Sequence, residues 1–288
     1  MNDEQKPLVS IIMNCYNSDR FLNQAIDSIY EQSYQNWEII FWDNASTDKS
    51  AGIALSYTEK LKYYVSKNTT SLGEARVLAV SQSKGEYLAF LDCDDLWSPQ
   101  KLEKQMKVIL KNKKNVGLIY SLCDVVSENG TKIGQIPSKS ELYSGMSVFD
   151  ELVKKNFIPF VSVLVSRSKY LEVGGFPINY KNSTDYDLFL KLSYNYEVLV
   201  IDEVLCKYRE HSKNLSHRQY VIAAEESINS VSSFLPDDRA VEGLRYQNIE
   251  LAIASIKEKN FFMAISLLLR HGGLGKVFSR IFNKIRSH

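Results

Sequence analysis

The chain has 288 residues, 44% hydrophobic and 24% charged, enough to bury the core of one large domain, or of one domain with a smaller appendage, and too apolar for global disorder. A net charge of +1 gives no sign of a nucleic-acid binder, and four cysteines scattered at 15, 93, 123 and 206 without a C-x-x-C pair argue against a zinc site or a disulfide framework. The start "MNDEQKPLVSII" lacks the basic, apolar and small-residue order of a signal peptide. The longest strongly apolar run, "FFMAISLLL" at 261–269, falls short of the ~20 residues that cross a bilayer, and the scattered cysteines fit a reducing cytoplasm, the compartment expected.

In chain order, "LVSIIM" at 8–13 reads as a strand, and Phe21, Leu22, Ala25, Ile26 and Ile29 mark one face of a helix. "WEIIFW" at 37–42 and "KYYV" at 62–65 are further strands. A helix from Gly73 to Ser83 leads into "EYLAFL", and "PQKLEKQMKVILKNKK" is helical before the strand "VGLIYSLCDVV". Such alternation predicts βαβ units and a mostly parallel sheet covered on both faces. "SENG" at 127–130 is a hairpin signal, because Asn129-Gly130 suits positive φ. "VSVLVS", a "GGF" turn at 174–176, a helix near 185–194 and a strand pair around "VLVID" and "CKYR" follow, and from 219 onward the pattern is helical.

Ligands of such sheets bind beyond the carboxyl ends of the strands, and three strands here end in polar residues: "NCYN", "DNASTD" and "DCDD". In "LAFLDCDDLWSP" an apolar strand runs into Asp92, Asp94 and Asp95. Carboxylates this close raise one another's pKa unless a positive group sits among them, and a divalent cation is one such group. A solvated loop capping the helix near Pro99 is the alternative reading.

"PLVSIIMNCYN", "WEIIFWDNASTDKS", "SLGEARVLAVSQSKGEYLAFLDCDDLW" and "GGF" followed by "STDYDLFLKL" resemble, in order and spacing over residues 7–216, the family 2 glycosyltransferases. The resemblance implies an α/β, GT-A-like nucleotide-sugar-binding fold over 1–216, with a nucleotide-binding half at 7–125 and an acceptor half at 126–216. Residues 217–288 then form a helical extension. It further implies an inverting transfer of a sugar from a nucleoside diphosphate sugar to a saccharide or lipid-linked saccharide hydroxyl, in a setting such as bacterial surface polysaccharide or glycolipid synthesis.

By the same resemblance Asp43 and the backbone at Tyr16 hold the nucleotide, Arg76 contacts it, and Asp92 faces the ribose or the metal. Asp94 ligates Mn2+ or Mg2+, whose hard oxygen preference suits carboxylates and diphosphate. His211 in "KYREHSKNLS" completes the metal shell or meets the diphosphate, with Arg209 and Lys213 near phosphate oxygens. Asp185 matches the general base, with Asp187 as its rival, while Asn44, Val77 and Thr184 depart from the family pattern. Asx turns and helix capping are the structural alternatives for Asp43, Asp185 and Asp187.

After Glu258 no acidic residue occurs. "KVFSRIFNKIR" places Val277, Phe278, Ile281, Phe282 and Ile285 along one side and Lys276, Arg280 and Lys284 along another. A basic amphipathic segment at 274–288 suits a peripheral contact with an anionic membrane at its inner face, and equally a docking helix or a partner interface. Two other functions are open to the sequence: a nucleotide-sugar-binding module without catalysis, and a phosphatase using the Asp92 and Asp94 pair.

Overall fold

The computed structural model describes residues 6–57, 59–112, 115–136, 148–215 and 218–270. Its first half is the expected alternation. Strand β1 (Val9–Cys15) pairs in parallel with β2 (Trp37–Asp43) and β4 (Tyr87–Phe90), and β2 pairs in parallel with β3 (Leu61–Val65). Side chains alternate between two buried faces, as period two requires: Val9, Ile11, Met13, Ile39, Phe41 and Ala89 enter one core, and Ile12, Ile40, Trp42, Leu88 and Phe90 the other. The first core is covered by α1 (Asp19–Tyr30) and α4 (Lys101–Lys111), whose apolar stripes include Leu22, Ile26, Leu102 and Met106. Between them lies a short helix, α2 (Ser50–Leu55), which the sequence pattern did not signal. The second core is covered by α3 (Leu72–Ser81), with Ala75 and Ala79 pointing in; Ser71 caps it by accepting the Glu74 N–H at 3.1 Å.

Beyond β4 the sheet becomes mixed. Its order among the described residues is β3-β2-β1-β4-β8-β6-β9-β5, with β7 paired to β6. Strand β8 (Leu164–Ser166) runs antiparallel to both β4 and β6 (Val116–Val126). "SENG" makes the expected turn, with Gly130 at φ +81°, into β7 (Lys132–Ile136). The strand pair expected around "VLVID" and "CKYR" is instead one strand, β9 (Glu197–Arg209), parallel to β6. Its register jumps from Ser121↔Ile201 to Leu122↔Val204, so Asp202 and Glu203 bulge out of the ladder. Two polar residues that read as a turn are absorbed without reversing the chain. The two-residue β5 (Leu96–Trp97) adds antiparallel to the end of β9, with Leu96 opposite Lys207 and Trp97 opposite Cys206.

Helices α5 (Val148–Leu152), α6 (Arg167–Glu172) and α7 (Thr184–Asn195) add Phe149, Leu152, Tyr170, Leu188 and Phe189 to the second core. The C-terminal part is helical as expected: α8 (Tyr220–Ser232), α9 (Asp238–Lys257) and α10 (Phe261–Arg270). It packs on the sheet-bearing part: Val231 of α8 and Ala240 of α9 belong to that same second core, and Gly243 lies so close to Val153 that a Cβ there would meet its carbonyl oxygen at 2.8 Å. No helix among the described residues is long and apolar enough to cross a membrane. The segment 274–288, read as a membrane-surface element, lies outside the described residues.

Candidate active site

Parallel strands that start on one side of the sheet also end on one side, so β1, β2 and β4 deliver Tyr16, Asp43 and Asp92 to a common rim. Asp43 is buried and doubly engaged. Its Oδ1 accepts the Ser46 N–H at 2.7 Å, closing the Asx turn, and its Oδ2 accepts the Tyr63 hydroxyl at 2.7 Å. Tyr16, 53% exposed, precedes Asn17 at φ +50°, whose Oδ1 accepts the Thr47 N–H at 2.8 Å. Asn44, at a position where the family pattern has a second acid, exchanges bonds with Thr70: its Oδ1 takes the Thr70 N–H and its Nδ2 donates to the Thr70 carbonyl, both at 3.1 Å.

The three acids of "DCDD" have separate fates. Asp95 is buried and its Oδ1 accepts the Arg209 backbone N–H at 2.8 Å; burial, then Asp94 and Asp92, push its carboxyl well above the usual range against that bond. Asp94 places Oδ2 2.9 Å from His211 Nε2. His211 Nδ1 accepts the Lys213 N–H at 3.2 Å, so a neutral ring carries its proton on Nε2, aimed at Asp94. Asp92 is pushed up to about 6, chiefly by the protein packed around it, with Arg76 pulling it back and Asp94 and Asp185 pushing further. Because 41% of its side chain still meets solvent, water at the cleft floor offsets part of that push.

Arg209, expected beside phosphate oxygens, is 2% exposed and lies in the frame of the site. Its Nε donates to the Asp94 carbonyl at 2.9 Å, Nη1 to the Glu128 carbonyl and Nη2 to Gln24 Oε1, both at 2.8 Å, and its guanidinium lies over the Phe21 ring at 4.4 Å. Held on all sides, it fixes the backbone that carries Asp94.

Arg76 is buried on α3, 3.9 Å over the Phe160 ring. Its Nη1 donates to Thr184 Oγ1, at the start of α7, and its Nη2 is 3.8 Å from Asp92 Oδ1. Burial lowers its pKa, opposed by Asp92 and then Asp185. Thr184, a departure from the family pattern, is therefore the hydroxyl that orients Arg76. Asp185 is half-buried in the first turn of α7, its Oδ2 accepting Asn156 Nδ2 at 3.2 Å; burial holds its carboxyl above the ordinary range against Arg76. Asp187, the rival, is buried 2.6 Å from Lys191 Nζ, an i,i+4 pair within the helix. A cavity of about 320 Å3 opens beside Asp185, lined by Asn156, Asn182, Tyr220, Ser227 and Lys257 among others. Sequence reasoning missed Asn156 and the α8 and α9 wall, and nothing local in the sequence marks them.

No group of three or more metal-ligating side chains converges among the described residues. Asp94 and His211, with Asp92 alongside, are nevertheless a donor set of the kind that holds a divalent cation when substrate phosphates supply the remaining oxygens. Ligation through Nε2 requires its proton to leave that nitrogen.

The backbone resembles two proteins of known structure. It matches S. aureus TarS in complex with UDP-GlcNAc at a TM-score of 0.63 and 17% identity, over 88% of this chain and 73% of that one. It matches the mannosyltransferase PcManGT of Pyrobaculum calidifontis, solved with GDP-Man and Mn2+, at 0.64 and 17%, over 99% and 81%. The fold is thus of the GT-A type. The family model for glycosyl transferase family 2 matches residues 10–170. An uncharacterized glycosyltransferase of Methanocaldococcus jannaschii is 32% identical over 73% of each chain. The Escherichia coli UDP-Glc:alpha-D-GlcNAc-diphosphoundecaprenol beta-1,3-glucosyltransferase WfgD is 28% identical over 74% of this chain and 81% of its own. The chain belongs to glycosyl transferase family 2, which sets aside the phosphatase reading. It spans 36% and 33% of the length of the glycosyltransferases of Rickettsia felis and Rickettsia bellii that it matches.

Proposed function

We propose that this chain is an inverting, metal-dependent glycosyltransferase that moves a sugar from a nucleoside diphosphate sugar to an acceptor hydroxyl. The observation that carries this reading is the buried Arg76, which bonds Thr184, lies near Asp92 and acts electrostatically on both Asp92 and Asp185. It couples the rim suited to a diphosphate to a half-buried carboxylate suited to a proton.

Asp43 and the backbone at Tyr16 hold the base. Asp94, Asp92 and His211 hold Mn2+ or Mg2+, which when bound offsets charge on the departing diphosphate. Asp185 takes the acceptor's proton, and its raised pKa means that the rate falls with falling pH through a midpoint above the ordinary carboxylate range. Asp187, already paired with Lys191, is not the base.

We place the acceptor saccharide in the cavity beside Asp185. Polar Asn156, Asn182 and Ser227 line it beside Asp185, groups suited to saccharide hydroxyls. A lipid-linked saccharide, the acceptor class named for the E. coli relative, suits a membrane-surface contact through 274–288 and a role in surface polysaccharide or glycolipid synthesis. Binding to anionic vesicles that survives removal of 274–288 would refute that contact.

The test is turnover and thermal stability with UDP- and GDP-linked sugars, in Mn2+ or in chelator. Wild type is expected to be stabilised and to hydrolyse one donor slowly, both only with metal. Asp185→Asn is expected to lose at least about 100-fold in turnover with donor binding intact. Metal-dependent binding without turnover in the wild type would instead make this a binding module.

A further inference from the structure

Helix α7 carries Asp185, yet it does not cap itself: the Ser183 hydroxyl is turned away and donates to the Ala223 carbonyl at 2.9 Å. The backbone entering the helix is held from outside. Glu226 of α8, itself buried, accepts three successive backbone N–H groups, Lys181 on Oε1 at 2.6 Å, and Asn182 at 3.0 Å and Ser183 at 2.8 Å on Oε2. On the opposite side the same approach is tied to α3. The Gly73 N–H donates to the Tyr180 carbonyl at 2.9 Å, and the Ser71 hydroxyl to the Ile178 carbonyl at 2.6 Å. Gly73 permits this approach, since a Cβ there would stand 2.0 Å from the Pro177 oxygen.

We infer that Glu226 is a positioning residue for Asp185, an inference that rests on Asp185 being the base. A carboxylate offers two acceptor oxygens to three donors, whereas an amide offers one and turns an NH2 toward a donor. Among the described residues no other side chain bonds to these three amides. Residue 226, like Asp185 itself, lies beyond the 10–170 stretch that the family model matches. Groups on the donor side, Asp43, Asp92 and Asp94, sit on strand ends that Glu226 does not touch. Its loss should therefore reach the chemical step and spare donor binding.

The experiment uses the full chain with Mn2+ and UDP-glucose, UDP-GlcNAc or GDP-mannose as probe donors, comparing Glu226→Gln with Glu225→Gln, a change at the exposed neighbouring carboxylate. For Glu226→Gln, kcat is expected to fall about 10- to 100-fold with donor KM within about twofold, the signature of a misplaced reacting group. Backbone amide exchange over 181–187 is expected to accelerate there while the rest of the protein and all of Glu225→Gln match wild type. Unchanged kcat, or unchanged exchange over 181–187, overturns the inference, as does exchange accelerated throughout the molecule. If Asp185→Asn turns over a donor as fast as wild type while local exchange still responds to Glu226→Gln, the Asp185 reading fails and Glu226 remains the holder of the α7 start.

Discussion

Two acid-rich segments flank the cleft, and each divides its carboxylates between frame and site by a different route. In "DCDD" the frame acid is Asp95, satisfied by a backbone N–H of residue 209, 114 positions away, and the proposed site acids are Asp92 and Asp94. In the first turn of α7 the frame acid is Asp187, paired with Lys191 one helical turn on, and the proposed site acid is Asp185. A local partner is in place as soon as the helix forms, whatever the rest of the fold does. A distant partner makes the geometry at Asp94 conditional on the whole sheet.

If that contrast is right, the largest effect belongs to the distant arrangement. Arg209→Ala removes a buried side chain with three hydrogen bonds and leaves the Asp94 and Glu128 carbonyls without them, so denaturant unfolding should show a loss of roughly 3 kcal/mol or more. A loss below about 1 kcal/mol would dissolve the distinction between frame and site at this end.

Asp92→Asn sharpens the comparison by pH. A carboxyl raised to about 6 in the folded state binds more protons than it does unfolded, so its contribution worsens as pH rises from about 4 through 6. The variant should therefore melt at a higher temperature than wild type at pH 7.5 and at the same temperature at pH 4, while losing activity. Calorimetry at both pH values decides it; an equal shift at both would assign the effect to packing.

The smallest effect is expected from the local pair: Asp187→Asn should cost about 0.5–1 kcal/mol of stability and change turnover by less than about twofold. A loss of turnover comparable to that of Asp185→Asn would make Asp187 the base after all.

The same contrast explains what could be read from the sequence. Strands β1, β2, β4 and β6 and helices α1 and α4 follow from apolar periodicity, a local property, and the Asx turn at Asp43 follows from another, a short carboxylate that bonds its own backbone three residues on. The bulge at Asp202 and Glu203 hid the continuity of β9, because two polar residues between apolar runs look the same whether the chain turns or pushes outward. Arg209 was misread for a related reason: its role depends on carbonyls from two distant loops and on Gln24, none of which lies near it in the chain. The departures at Asn44 and Thr184 could be seen but not interpreted, since Thr70 and Arg76, which give them their roles, are brought close only by folding.

The two-residue ladder between β5 and β9 has a consequence for how the protein is made. During synthesis β1 to β4 leave the ribosome more than one hundred residues ahead of the strand end that receives Leu96 and Trp97. The strands β1 to β4 can pair early. Asp94 acquires its fixed backbone and its histidine only when residues 206–211 arrive, so a nascent chain has the shape of the proposed donor pocket well before it has a complete one.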